Sequence, residues 1–141
     1  MEGFVFVKLL KECGKKKDLS EGMRLHDAIM ERKLLEKNPY MGNTLISMYA
    51  KCGALAKARE VFDMLNIRDV IAWNSLIAGY VQNGHGEEAL TCFDTMQKKG
   101  TCPDDVTLTC ALNACSKTRS LDKGQLIHDE IIDRGLLDKH T

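Results

Sequence analysis

The phrases NTLISMYAKCG, from Asn43 to Gly53, and NSLIAGYVQNG, from Asn74 to Gly84, both open on asparagine and stand 31 residues apart. An asparagine amide carries a donor and an acceptor on one planar group. The return of the asparagines after 31 residues asks for a structural unit of that length. Residue types that do break bonds are present but not arranged for it. The six cysteines (Cys13, Cys52, Cys92, Cys102, Cys110 and Cys115) show no Cys-x-x-Cys spacing and have no histidine beside them at ligand spacing. No Gly-rich phosphate loop and no Ser/His/Asp set occurs in a suitable context. The expectation is a chain without catalytic residues, metal or cofactor. Nothing looks secreted, so buried reduced thiols are expected rather than disulfides.

Lysine and arginine number 20 and so do aspartate and glutamate. The chain as a whole is therefore no electrostatic glove for nucleic acid or membrane, and any basic surface must come from arrangement. No stretch approaches the roughly 20 apolar residues of a membrane span. The opening GFVFVKLL is preceded only by the charge of Glu2, which makes a poor signal peptide, and early acidic residues fit a transit peptide badly. Two prolines suit a largely helical chain, and the low aromatic content argues against a strand-rich sandwich.

The elements that must position the asparagines follow from the repeat. A shift of 31 also aligns Leu45 with Leu76, Ile46 with Ile77, Tyr49 with Tyr80, Gly53 with Gly84, Ala58 with Ala89 and Phe62 with Phe93. A shift of 102 joins the two ends: Leu10 to Leu112, Cys13 to Cys115, Gly22 to Gly124, His26-Asp27 to His128-Asp129 and Arg32 to Arg134. Four units result, over residues 3–38, 39–69, 70–104 and 105–140. Each reads as two helices. In the third, Ile71, Trp73, Leu76, Ile77 and Tyr80 form one apolar stripe, QNGHG breaks it, and Ala89, Leu90, Phe93 and Met96 form the next. In the first, DLSE (Asp18 to Glu21) has capping-box spacing. Gly22 and Gly124 fall inside second helices, where close helix approach is the expected reason. A hairpin of this size cannot bury its apolar face alone, so the units must stack. The predicted fold is all-α, a single right-handed α-solenoid of about four helix-turn-helix hairpins over residues 1–141, with the first helices lining the inside.

GNTLISMYAKCGALAKAREVFD, RDVIAWNSLIAGYVQNGHGEEAL and LNACSKTRSLDKGQLIHDEII resemble the plant pentatricopeptide repeat (PPR) family, more narrowly its PLS subclass with units in the order L, S, P, L. The resemblance implies a single-stranded RNA-binding module that meets about one base per repeat and serves as a site-recognition factor in organellar RNA editing or processing, in the mitochondrion or chloroplast. By the family's pattern the base-reading pairs are Asn43 with Asp69 and Asn74 with Asp104, with uracil favoured over cytosine at each. Threonine in place of Asn74 would move that preference toward guanine. The aspartate would orient the amide or reach the base through water. The L units supply weaker pairs, Val7 with Asn38 and Thr109 with His140; Lys37 competes with Asn38 because the first unit is one residue longer. Base-sandwiching positions fall on Phe4, Tyr40, Ile71 and Val106. The implied footprint is 5′-N-U/C-U-N-3′, read parallel to the chain. Editing relatives carry a further zinc deaminase domain with His-x-Glu and Cys-x-x-Cys, and this chain has neither pattern.

Plainer roles compete for the same residues. Asparagine favours helix N-termini, and Asp69 and Asp104 precede helices where N-capping is expected. Tyr49, Tyr80, Trp73, Phe62 and Phe93 read as core, as do Met23, Met30, Met48, Met64 and Met96. His26 and His128 read as structural hydrogen-bonding residues. Lys15-Lys16-Lys17 and Lys98-Lys99 are either phosphate contacts or solvated turns. A second function class remains open: a helical-repeat scaffold that binds an editing-complex protein through its L units. Leu121, Leu126, Ile127, Ile131 and Ile132 on the last helix are expected to expose apolar surface and to favour self-association.

Overall fold

The computed structural model describes residues 2–38 and 40–135. Among them it contains nine helices and no strand. The helices are α1 (Glu2–Lys16), α2 (Leu19–Glu31), α3 (Leu34–Lys37), α4 (Met41–Lys51), α5 (Leu55–Met64), α6 (Val70–Gln82), α7 (Gly86–Lys98), α8 (Asp105–Thr118) and α9 (Leu121–Asp133). Four hairpins form from α1–α2, α4–α5, α6–α7 and α8–α9. The single-turn α3 is an addition that the periodicity does not announce.

Local chemistry sets the boundaries. Asp18, Asp69 and Asp104 each cap a helix by accepting from the backbone N–H three residues on, at 3.2, 3.0 and 2.9 Å. The expected box at Asp18 closes on one side only. Its own N–H goes to the Cys13 carbonyl of the preceding helix at 2.9 Å, which leaves Glu21 to pair with Arg24 instead. The complete box forms at Asp104, where Thr107 returns its hydroxyl to the Asp104 N–H. The turn between paired helices needs a left-handed residue. Gly53 and Gly84 fill it in the middle hairpins (φ 79° and 80°), whereas Lys17 and Arg119 do so in the outer two (φ 56° and 58°).

The hairpins stack in two rows. First helices pack in succession, α1 on α4, α4 on α6 and α6 on α8, while second helices lean on the following first helix. This is the helical-repeat solenoid, with one apolar core threaded through all four hairpins. Leu45, Ile46, Tyr49, Phe62, Trp73, Leu76, Ile77, Phe93 and Met96 are all buried there, and Phe62 meets Trp73 edge-on at 4.7 Å between ring centroids. Polar stitches reinforce each joint. The Tyr49 hydroxyl meets His26 Nδ1 at 2.6 Å, and Arg59 reaches the Cys92 thiol in the next joint at 3.8 Å. Carbonyls at first-helix ends, already bonded to the N–H of the turn glycine, take a second donor from the following hairpin: Ala50 from Asn83 at 2.9 Å and Val81 from Lys117 at 3.4 Å.

Several expectations change. Met48 and Met96 are core, but Met23, Met30 and Met64 are exposed, because they face outward on second helices that no third layer covers. Cys13, Cys92 and Cys115 are buried and all six thiols are free, but Cys102 is exposed in the α7–α8 connection. Burial pushes the Cys13, Cys52, Cys92, Cys110 and Cys115 thiols above their ordinary range. Gly22 does mark a close approach: a Cβ there would lie 2.5 Å from Met48 Sδ. Gly124 does not to the same degree, its nearest neighbour standing at 3.4 Å. On α9, Leu121, Leu126 and Ile132 are exposed while Ile127 and Ile131 are buried.

Two measurements check this packing. A Cβ on Gly79 would sit 2.7 Å from that of Ala50, where α6 crosses α4. Gly79→Ala is expected to destabilise the fold by about 1–3 kcal/mol through overpacking, read as a lowered urea midpoint. The second concerns His26, whose Nε2 is buried without a partner while Nδ1 bonds Tyr49. Burial lowers its pKa below the ordinary value; Asp27 and Glu60 oppose that shift and Lys57 adds to it. The unfolded chain therefore takes the proton first, and stability is expected to fall as pH drops below about 6.5. His26→Gln should remove that part of the pH dependence.

Candidate functional site

The start of each first helix leaves a large apolar side chain in solvent, and α1 leaves a second, Val5, beside it. Phe4 is 68% exposed, Tyr40 65%, Ile71 50% and Val106 52%. Helical period explains the repetition: the inward positions are taken by residues such as Leu10, Leu45, Leu76 and Leu108, all buried. A groove of about 560 Å³ runs over α1, α4 and α6, and Phe4, Val7, Tyr40, Asn43 and Ile71 line it together. Lys11, Lys15 and Lys51 stand along the same groove.

The charge is sorted by row. The first helices α1, α4, α6 and α8 hold Lys8, Lys11, Lys15, Lys16, Lys51 and Lys117 against Glu2, Glu12 and Asp105, a net of +3. The second helices α2, α5, α7 and α9 carry five basic residues against twelve acidic ones, a net of −7. A chain of zero net charge thus presents a basic first-helix row backed by an acidic second-helix row.

The two asparagines differ. Neither caps a helix, since those places belong to Tyr40 and Asp69. Asn74 Nδ2 donates to Asp104 Oδ1 at 3.0 Å, and its Oδ1 accepts from the Thr107 hydroxyl. Asp104 therefore serves both as helix cap and as partner of the amide. Burial pushes its carboxyl up, but the hydrogen bonds from the Thr107 N–H, the Asn74 amide and the Thr107 hydroxyl outweigh that and hold it below the ordinary carboxylate value. Asn43 makes no such contact. It lines a second cavity, of about 530 Å³, with Asp69, Asn38 and Leu35, yet among the described residues no hydrogen bond joins Asn43 to Asp69. Asp69 only caps α6, through Ala72.

The weaker positions are differently occupied. Val7 is half-buried against the core. Thr109 turns its hydroxyl back to the Asp105 carbonyl at 2.8 Å. Asn38 Oδ1 accepts from the Tyr40 N–H at 2.9 Å, a local turn that commits its acceptor. His140 lies outside the described residues, as does Pro39. Of the lysine clusters, Lys15 lies on the groove, whereas Lys98 and Lys99 end α7 in the other row. Sequence reasoning missed Thr107, Lys11 and Lys51. The Asp104-x-x-Thr107 spacing was the available signal for the first; nothing but the stacking brings the lysines together.

Comparison with known proteins places this arrangement. The PPR repeat family matches residues 68–117, and a single PPR repeat matches 43–70 and 106–136. The chain is similar to a pentatricopeptide repeat-containing protein of Arabidopsis thaliana named as mitochondrial, 38% identical over 142 residues, covering 100% of this chain and 14% of that protein. A second mitochondrial one from the same plant is 39% identical over 125 residues (89% of this chain, 18% of the relative). A third, named as chloroplastic, is 32% identical over 133 residues (94% and 21%). The chain therefore spans between 14% and 21% of the length of these relatives.

The double role of Asp104 has a measurable consequence. Asp69→Ala is expected to cost about 1 kcal/mol, the value of one helix cap. Asp104→Ala also strips partners from Asn74 and the buried Thr107 and should cost about 1 kcal/mol more. Urea titration of the two variants side by side checks the difference.

Proposed function

The chain belongs to the pentatricopeptide repeat family, and from that premise we propose that it is a single-stranded RNA-binding module that meets about one base per hairpin. The observation that carries this reading is the series of exposed apolar residues Phe4, Tyr40, Ile71 and Val106 at the heads of the four first helices. Apolar side chains held out at each repeat are suited to lie between successive bases, since every base has an apolar face. The basic first-helix row supports it, because phosphate neutralisation supplies most of the affinity for nucleic acid. Lys11, Lys15 and Lys51 along the groove are the phosphate contacts we assign.

Asn43 and Asn74 are the base-reading residues, with Asp69 and Asp104 as their partners and U or C as the bases met. Cytosine and uracil, like the purines, place an acceptor on the Watson–Crick edge, which the Asn74 amide can meet with the Nδ2 hydrogen that Asp104 leaves free; the preference for U or C is carried by the family resemblance. The L, S, P, L order and repeat bounds at 3–38, 39–69, 70–104 and 105–140 belong to the same proposal. So does a role in site recognition for organellar RNA editing or processing, in the compartments that the relatives' names give, mitochondrion or chloroplast. The module binds and leaves chemistry to others. A protein scaffold acting through the outer hairpins is the second reading; the uncovered Leu121, Leu126 and Ile132 on α9 favour it, and self-association through that face goes with it.

Fluorescence anisotropy with U-rich and A-rich oligonucleotides at two salt concentrations tests the proposal. Micromolar or weaker binding that favours the U-rich strand at both salts is expected. Equal binding that vanishes at moderate salt would leave charge attraction alone and remove the base-reading claim. Asn74→Thr should move the preference at one nucleotide from uracil toward guanine.

A further inference from the structure

We propose that Thr107 is a positioning residue for the base-reading amide of the hairpin before it, so that the third hairpin discriminates its base more sharply than the second. The inference rests on the RNA-binding reading above and adds to it a third residue and a ranking of the repeats.

Thr107 is the buried polar side chain of the described residues, fully shielded from solvent at the start of α8. Its hydroxyl touches three polar groups. It accepts from the Asp104 N–H at 3.1 Å and lies within donor reach of both Asn74 Oδ1 and, at 2.8 Å, Asp104 Oδ1. One hydroxyl has one proton. Asp104 Oδ1 already receives the Thr107 N–H at 2.9 Å and the Asn74 amide at 3.0 Å. The Asn74 oxygen has no other donor among the described residues, so the hydroxyl proton is best placed there. The amide is then held at both ends, its NH₂ by a carboxylate and its C=O by a hydroxyl. Turning it over would set its oxygen against the carboxylate and its NH₂ against a donor. It therefore presents a fixed donor, its second Nδ2 hydrogen, without having to be ordered when a base arrives.

The second hairpin supplies the contrast within the same chain. Ala72 stands three residues after Asp69, as Thr107 stands three after Asp104, and donates its backbone N–H in the same way at 3.0 Å. It has no hydroxyl. Asn43 accordingly makes no hydrogen bond to Asp69 or to the start of α6 among the described residues, and its amide is free to present either end. The two asparagines that look alike in the repeated phrase are a held reader and an unheld one. The difference is decided by a residue in the next hairpin.

The test varies one nucleotide at a time in a short RNA, opposite the second or the third hairpin, and reads the affinity ratio of uridine to adenosine at each place. Wild-type protein should show the larger ratio opposite the third hairpin. Thr107→Val, which keeps the shape and removes the hydroxyl, should lower that ratio about fivefold, the size of one net hydrogen bond, and leave the second-hairpin ratio unchanged. Thr107→Ser should restore it. In the other direction, Ala72→Ser or Ala72→Thr should raise the second-hairpin ratio, and this arm carries the test if Thr107→Val does not fold. A Thr107→Val protein that loses affinity equally for all bases, or an Ala72 pair without gain, would reduce Thr107 to a helix cap while leaving RNA recognition intact. A wild-type protein with no base preference at either place would remove the recognition reading and this inference together.

Discussion

The packing of first helix on first helix is the constraint on which the rest of the structure depends. Each hairpin has apolar residues on more faces than its own two helices can cover. Stacking is the only way to bury them, and it proceeds along α1, α4, α6 and α8. The approach is close enough that Gly79 faces the Ala50 methyl without room for a Cβ. Once those helices are shoulder to shoulder, most of their circumference is spoken for. What remains is a narrow outward strip, and the same helical positions fall on it in every hairpin.

That strip explains both the exposed apolar series and the sorted charge. Residues on the strip cannot be enclosed, so Phe4, Tyr40, Ile71 and Val106 stay in solvent although they are apolar. Lysines on the same helices gather beside them, while acidic residues accumulate on the second helices. A sum over the chain cancels these two populations; a sum over each row does not. The positive field is thereby gathered on the first-helix row and the negative one on the second-helix row.

The joints between hairpins also set the chemistry of the strip. Asp104 and Thr107 belong to the start of one hairpin, yet they hold an asparagine of the hairpin before. Tyr49 likewise takes a partner, His26, from the preceding second helix. Each repeat is therefore completed by its neighbour, in polar contacts as much as in apolar ones. The third hairpin lifted out of this stack would lose both its core contacts and the orientation of its amide.

The helices, their pairing and their stacking were legible in the sequence because period, turn residues and self-similarity are local properties. The repeats at shifts of 31 and 102 and the stripes ending in Tyr80 and Met96 need no tertiary knowledge. The recurring asparagines were legible too, as a residue type at a spacing, whereas the reading role proposed for them rests on the resemblance to the family. What escaped was whatever depends on the neighbour. The difference between Asn43 and Asn74 turns on partners 30 and 33 residues along the chain, and the outward methionines on the lack of a layer to cover them. Charge escaped for the same reason, since a net of zero is a property of the chain and a basic row is a property of the stack. The sequence by itself determined that this protein is a row of helical hairpins with an asparagine recurring at a fixed place. Only the tertiary structure decided which asparagine is held and which face is basic, because hydrogen bonds and surface fields depend on distances in space, and the distances concerned span 30 residues of chain or more.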